Sequence, residues 1–182
     1  MNFLILTRLF SATGSTIATS LLWVAYALPA IFVGPFAAVA VDMIDRRKIL
    51  LITNLLQAVV VGAFSFTHNS QIFLLYGIVI VYSLLNQLYL PAESASVPSL
   101  VKKEQLAYAN GLFLLTQQAA LILGFGLAGP LNNVFGFDRS LIICSALLFL
   151  AFVSVWFLPT IKTINKIPES FEDAFFNFFT KI

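Results

Sequence analysis

Four long stretches of this 182-residue chain contain no Asp, Glu, Lys or Arg: 9–41, 49–92, 105–137 and 140–161. A helix that crosses a bilayer needs about 20 mostly apolar residues, at about 1.5 Å of rise per residue. The stretch 49–92 is long enough for two such helices, and the polar cluster His68–Gln71 is typical of a turn between them. The sequence therefore predicts five spanning helices, at about 17–41, 49–68, 71–91, 106–131 and 140–159.

The composition favours an integral membrane protein and argues against other classes. Only 10% of the residues are charged, whereas a soluble domain carries about 25%. The single cysteine, Cys144, excludes a disulfide framework, and a net charge of +2 gives no argument for a nucleic-acid partner. One histidine and no acid deep in a span argue against an enzyme, a metal site or a cofactor. The predicted fold class is an all-α transmembrane helix bundle.

Residues 3–10 form an apolar segment that is too short to cross a bilayer. A signal peptide would place its basic residues before the apolar core, but Arg8 lies inside the apolar run. We therefore expect residues 3–10 to be the last turns of a first helix whose beginning is missing, followed by a loop at 11–16.

The basic residues are distributed unevenly between the two sets of predicted loops. Arg8 and Arg139 lie on one side, and the other side carries Arg46, Arg47, Lys48, Lys102, Lys103, Lys162, Lys166 and Lys181. Cytoplasmic loops are enriched in Lys and Arg. The sequence therefore predicts a multi-pass protein of the cell membrane (inner or plasma), with loops 42–48 and 92–105 and the C-terminus in the cytoplasm. Loops 11–16, 68–71 and 132–139 are predicted to face outside.

Glycine and proline interrupt two of the predicted spans. Small residues let helix backbones approach closely in lipid, and Gly or Pro also lets a helix bend during alternating access. The sequence leaves both interpretations open, and the pair Gly-Pro occurs at 34–35 and again at 129–130. The predicted helix-packing or hinge residues are Gly34, Pro35, Gly124 and Gly129.

The turn after the predicted span 17–41 concentrates charge, with two acids and three bases in the seven residues Asp42–Lys48. A carboxylate at the membrane edge is costly unless a donor satisfies it, and the neighbouring bases are close enough in sequence to do so. The simple interpretation is an ordinary basic cytoplasmic turn. However, an acid at a helix end followed three residues later by Asp-Arg-Arg-Lys is a more specific pattern.

This turn resembles a motif of the major facilitator superfamily, Gly-x-x-x-Asp-(Arg/Lys)-x-Gly-(Arg/Lys)-(Arg/Lys), which joins the second and third helices. Asp42 matches the acid of the motif, and Arg46 and Arg47 match its basic pair. Three positions depart from it, namely Ala38, Met43 and Asp45. The Asp-x-x-Asp-Arg-Arg variant is similar to an exporter branch related to enterobactin and macrolide efflux proteins.

A second series of residues supports the resemblance to that branch across the fourth and fifth helices. It comprises Pro91, Ala92, Pro98, Ser99, Leu100, Val101, Leu106, Ala109, Asn110, Gly124, Leu127, Ala128 and Gly129. Phe125 replaces an expected proline, and Glu93 stands where a basic residue is more usual.

The resemblance implies that residues 1–160 are an incomplete six-helix half of a twelve-helix transporter, and that helices 7–12 are a missing partner. It also implies a gating motif of Asp42, Asp45, Arg46 and Arg47, in which Asp42 caps a helix of the other half and holds the cytoplasmic side shut. Residues 161–182 are expected to form a cytoplasmic amphipathic linker, or alternatively the start of a seventh helix.

Polar residues at membrane depth are the candidates for substrate binding. Because the fourth helix of this family faces the transport cavity, the resemblance indicates Tyr82 and Asn86 as substrate-binding residues. Gln117, a polar residue of the predicted span 106–131, is the next candidate. Uncharged amides in a span also join helices to one another, and this is the interpretation we favour for Asn54 and Gln57.

The predicted function is efflux of small amphipathic molecules by a partial secondary transporter in the lipid bilayer. The alternative is a small integral membrane subunit or scaffold with no transport of its own. Since the substrate path of the family lies between two halves, we expect this chain alone to transport nothing.

Overall fold

The computed structural model describes residues 1–67 and 72–159, so the predicted turn at 68–71 and the predicted linker at 161–182 lie outside the described residues. The described residues form six α-helices and one short 3₁₀ helix. They are α1 (Asn2–Thr13), α2 (Thr16–Met43), α3 (Arg46–Ser65), α4 (Ile72–Leu100), the 3₁₀ helix (Lys103–Gln105), α5 (Leu106–Phe135) and α6 (Phe137–Trp156). Within this part of the chain, five helices, α2 to α6, are long and apolar enough to cross a membrane. The predicted all-α bundle is confirmed.

Several helices continue beyond the predicted ends of the spans. Helix α4 runs on from the predicted end at 91 to Leu100, and α5 runs to Phe135 instead of 131. The predicted loop 92–105 is therefore mostly helical. The prediction was wrong here because charged and proline residues mark the edge of the apolar region, whereas a helix ends only where its backbone pairing ends.

The connections at the other end of the bundle are also shorter than predicted. The hydroxyl of Thr13 donates back to the carbonyl of Leu9 at 2.8 Å, which keeps this polar residue helical. Gly14 then ends α1 in the left-handed conformation, at φ 62°, and the Ser15 hydroxyl caps α2 by accepting from the Ala18 amide. A second glycine of positive φ, Gly136 at 78°, makes the whole connection between α5 and α6.

Helix α3 lies at the centre of the packing, between α4 and α6. Its close approach to α6 occurs at Gly62, where an added β-carbon would lie 2.8 Å from the Ser145 hydroxyl. That hydroxyl donates to the carbonyl of Ala58 at 2.7 Å. Small residues permit such contact in lipid, where water exclusion does not drive helices together.

Helix α2 packs on α4, and hydrogen bonds join the two helices. Pro29 removes one backbone donor from α2, and the Ser83 hydroxyl of α4 donates to the nearby Tyr26 carbonyl at 2.6 Å. Nearer the α1–α2 connection, the Tyr76 hydroxyl donates to the Ala18 carbonyl at 2.7 Å. Helix α4 thus supplies one donor to α2 close to Pro29 and a second near the start of α2.

The predicted packing or hinge glycines contact little within the described residues. A β-carbon added at Gly124 or Gly129 would meet no atom within 4 Å, and at Gly34 it would meet only the Gln87 side chain, at 3.8 Å. Pro35 lies inside a continuous α2. The packing or hinge role of these four residues stays a prediction.

Candidate functional site

The charged turn Asp42–Lys48 is built around the start of α3. Asp45 is the N-cap residue, and its side chain accepts a 2.9 Å hydrogen bond from the Arg47 amide. An acid is favoured at this position because the first amides of a helix lack partners and carry partial positive charge. Asp45 thereby fixes the point at which the chain reverses from α2 into α3.

Arg46 ties this turn to α4. One of its terminal nitrogens donates to the Ala95 carbonyl at 2.7 Å and to the Ser99 hydroxyl at 3.3 Å. Pro98 lies three residues beyond Ala95 and interrupts the backbone pairing of α4 in the same turn of helix. The arginine therefore supplies a charge-assisted donor close to a proline inside a helix.

Arg47 ties the same turn to α6. A terminal nitrogen of its guanidinium donates to the Trp156 carbonyl at 2.6 Å, at the last residue of α6. The last carbonyls of a helix have no partners within the helix and carry partial negative charge, so a cation is favoured there. Together, the two arginines hold one end of α3 against the ends of α4 and α6.

Asp42 differs from its neighbours because it faces outward. Its side chain is 61% exposed, whereas that of Arg46 is 11% exposed, and the two make a long ion pair of 3.9 Å. An ion pair of this length with one exposed partner contributes little stability. The acid of the turn is therefore accessible to a group outside the described bundle.

A cavity of about 410 Å³ lies between α1, α2, α4 and α5. Its wall includes Trp23, Tyr26, Tyr82, Leu121, Gly124 and Phe125. Trp23 and Tyr26 meet edge to face with ring centroids 6.2 Å apart. Such a wall offers broad apolar surface together with a few hydrogen-bonding groups, which is typical of small-molecule sites. We call it the central cavity.

The structure groups two of the three predicted substrate-binding residues. Tyr82 lines the central cavity, and the Asn86 amide donates at 3.1 Å to the hydroxyl of Tyr26, which also lines it. Gln117 lies elsewhere, where its amide donates to the Glu93 carboxylate at 3.5 Å. Gly124, predicted as a packing or hinge residue, forms part of the cavity wall.

Sequence reasoning missed Trp23 and Tyr26 as cavity residues. Aromatic residues are common in apolar spans, so the presence of these two in a span did not mark them as cavity residues. A tyrosine inside a span is nevertheless informative, because its hydroxyl needs a partner there.

The amides of α3 are buried as expected for residues that join helices. Asn54 and Gln57 are each 2% exposed, but their amide nitrogens make no hydrogen bond with any described residue. Their role in joining helices therefore stays a prediction.

The described residues contain no group of three or more His, Cys, Asp or Glu side chains that could hold a metal ion.

Comparison with known proteins gives a consistent result. A model of the Major Facilitator Superfamily matches residues 1–181. YfiS of Bacillus subtilis, described as an uncharacterized MFS-type transporter, is 28% identical over 157 residues, which are 86% of this chain and 37% of that protein. YjbB of the same organism, described in the same words, is 28% identical over 142 residues, or 76% of this chain and 35% of that protein. The chain thus spans about a third of the length of these relatives. No solved structure matches it.

Proposed function

The chain belongs to the Major Facilitator Superfamily, and on this premise we propose that it forms the N-terminal half of a membrane transporter of small molecules. The shared length supports the proposal, since the chain covers 37% of YfiS and 35% of YjbB. The remaining six helices would form a second bundle that closes the transport path against this one.

The central cavity carries the proposal. Its aromatic wall suits the apolar body of a substrate, and the hydroxyls of Tyr26 and Tyr82 would orient a polar group. No charged side chain among the described residues lines this cavity. We therefore assign it to a small amphipathic molecule, with Tyr82 as the contact residue and Asn86 as the residue that positions the Tyr26 hydroxyl.

The charged turn would act as the gate. Asp42 is exposed, while Asp45, Arg46 and Arg47 use their side chains to fix the turn to α3, α4 and α6. A carboxylate at a helix N-terminus contributes about 0.3–1 kcal/mol, and more when partly buried. Alternating access requires conformational states that differ in free energy by only a few kcal/mol. A contact of that size between Asp42 and a helix of the second bundle would be large enough to favour the state that is closed to the cytoplasm.

The direction we propose is efflux, with Asp42–Lys48 in the cytoplasm. The concentration of Lys and Arg at this end of the bundle supports the orientation. The resemblance of the Asp-x-x-Asp-Arg-Arg sequence to the enterobactin and macrolide exporter branch supports the direction.

Binding to the central cavity can be measured through Trp23. The chain has two tryptophans, so a Trp156→Phe background leaves Trp23 as the only one. We expect the neutral amphipathic fluorophore N-phenyl-1-naphthylamine to quench Trp23 saturably in detergent-solubilised protein. Tyr82→Ala should weaken this binding about five-fold, because an aromatic contact contributes about 1 kcal/mol.

The matched control is Tyr108→Ala, since Tyr108 is 78% exposed on α5 and lies outside the central cavity. It should leave the quenching curve unchanged. Quenching that does not saturate, or that responds equally to both substitutions, would argue against a substrate site in the central cavity.

A further inference from the structure

Glu93 is an acid inside helix α4, about 10 Å along the helix axis from the last residue, Leu100. Its carboxylate accepts two hydrogen bonds from neutral donors. The Tyr89 hydroxyl donates to one oxygen at 2.9 Å, and the Gln117 amide of α5 donates to the other at 3.5 Å. The two contacts hold the carboxylate in one position between α4 and α5.

Glu93 lines a second cavity, of about 250 Å³. Apart from Glu93, Tyr89 and Ser96, the wall is apolar and includes Leu50, Val97, Phe113 and Val155. The Ser96 hydroxyl is already used, since it donates to the Ala92 carbonyl at 2.6 Å. None of these residues lines the central cavity, so this is a separate site.

The charge of Glu93 is not balanced within the described part of the chain. The one ion pair found there joins Asp42 to Arg46. Arg46 directs its donors to Ala95 and Ser99, and Arg47 directs its own to Trp156. A carboxylate beside apolar walls is costly unless a donor or an opposite charge satisfies it. The cavity therefore combines one negative charge with apolar and aromatic walls.

We propose that this second cavity binds an organic cation, namely a protonated or quaternary amine with an apolar or aromatic body. The Glu93 carboxylate would pair with the ammonium group, and Tyr89 and Phe113 would offer aromatic rings to it. A metal cation suits the site less well, because Mg²⁺ and Ca²⁺ require six or more oxygen ligands and most of the wall has none. The site is additional to the proposed transport function and does not depend on it.

Calorimetric titration of the purified chain in detergent tests the proposal, with benzyltrimethylammonium as the probe. We expect saturable binding that Glu93→Gln weakens at least ten-fold, since that substitution removes the charge and keeps the shape. The matched control is Glu104→Gln, which removes an exposed acid on the 3₁₀ helix and should change the affinity less than two-fold.

Two further measurements test the cavity and the sign of the charge separately. Val155→Phe fills the cavity without changing any charge, and it should also weaken binding at least ten-fold. Benzenesulfonate, an anion of similar size, should not bind. Absence of saturable binding by benzyltrimethylammonium, equal affinity in Glu93→Gln and the unmodified chain, or equal binding of the sulfonate would each overturn the proposal.

Discussion

Helices α3 and α5 are both apolar enough to cross a membrane, yet the bundle packs them very differently. In the most apolar 18-residue window of α3, 44% of the residues are buried, whereas in the span that contains α5 the figure is 6%. Apolarity therefore does not predict burial here. In lipid this is expected, because the surroundings of a helix are as apolar as the interior of the bundle.

The presence of small residues does not explain the difference in burial between the two helices either. Gly62 of α3 meets the Ser145 side chain of α6, whereas Gly124, Gly126 and Gly129 of α5 face no atom that would meet an added β-carbon. The difference lies in the partner: α3 has helices on two sides, and α5 has few neighbours within the described bundle. The open face of α5 is consistent with the proposed second bundle.

The largest expected effect concerns the tight contact of α3. Gly62→Leu should lower the free energy of unfolding by about 2 kcal/mol, because overpacking a close contact costs about 1–3 kcal/mol. Gly126→Leu on α5 should not lower it, because an added side chain meets no atom there and glycine is less favourable than leucine inside a helix by about 0.5–1 kcal/mol. Titration with SDS in mixed micelles measures both. Equal losses in the two variants would remove the contrast between these helices.

The next effect concerns the turn that precedes α3. Arg46→Gln removes the charged donor to Ala95 and Ser99 and should cost about 1.5 kcal/mol, the typical contribution of a hydrogen bond from a charged group. Lys48→Gln, at an exposed position of the same turn, is the control and should be nearly neutral. The same SDS titration applies. A neutral Arg46→Gln would show that the contacts of Arg46 with α4 do not stabilise this end of α3.

A smaller effect is expected at the hydrogen bond from α6 to α3. Ser145→Ala removes the donor to Ala58 and should cost about 0.6 kcal/mol, the average for such bonds in membrane proteins. On α5, the Thr116 hydroxyl donates only to Leu112 of its own helix, so Thr116→Val should cost less. If the order of the two variants were reversed in SDS unfolding, the bond between α3 and α6 would not contribute as argued.

The smallest effect on stability is expected at Asp42. Asp42→Asn should change the free energy of unfolding of this chain by less than about 0.5 kcal/mol, because its ion pair is long and exposed. A loss above about 1 kcal/mol would mean that Asp42 stabilises this bundle itself. That result would contradict the proposal that the Asp42 carboxylate contacts a helix of the second bundle.

The number of long helices was predictable from the charge-free stretches, but their ends were not. The charge-free stretch that ends at residue 92 predicted a span that ends at 91, yet α4 continues to Leu100. The Arg46 side chain supplies a donor near Pro98 from a different helix. A contact between residues 49 positions apart cannot be read from local sequence.

The candidate site was predictable where a motif or a lone polar residue marked it. Asp42 stood out because the charged turn matches a motif of the family, whereas Tyr82 and Asn86 stood out because polar groups are rare in apolar spans. Gln117 stood out for the same reason, but whether it faces the central cavity or Glu93 depends on how α5 is rotated against α4, which the sequence does not specify. The position of Trp23 in the cavity likewise follows from packing alone.

The central claim is a bundle that spans the membrane with the charged turn in the cytoplasm. Labelling of single cysteines in intact cells tests it most directly, in a Cys144→Ala background that removes the native thiol. A membrane-impermeant maleimide should label Asn133→Cys, at an exposed position next to the α5–α6 connection, in intact cells. It should label Lys48→Cys and Lys102→Cys only after permeabilisation. Labelling of Lys48→Cys from outside, or on the opposite face from Lys102→Cys, would contradict the account.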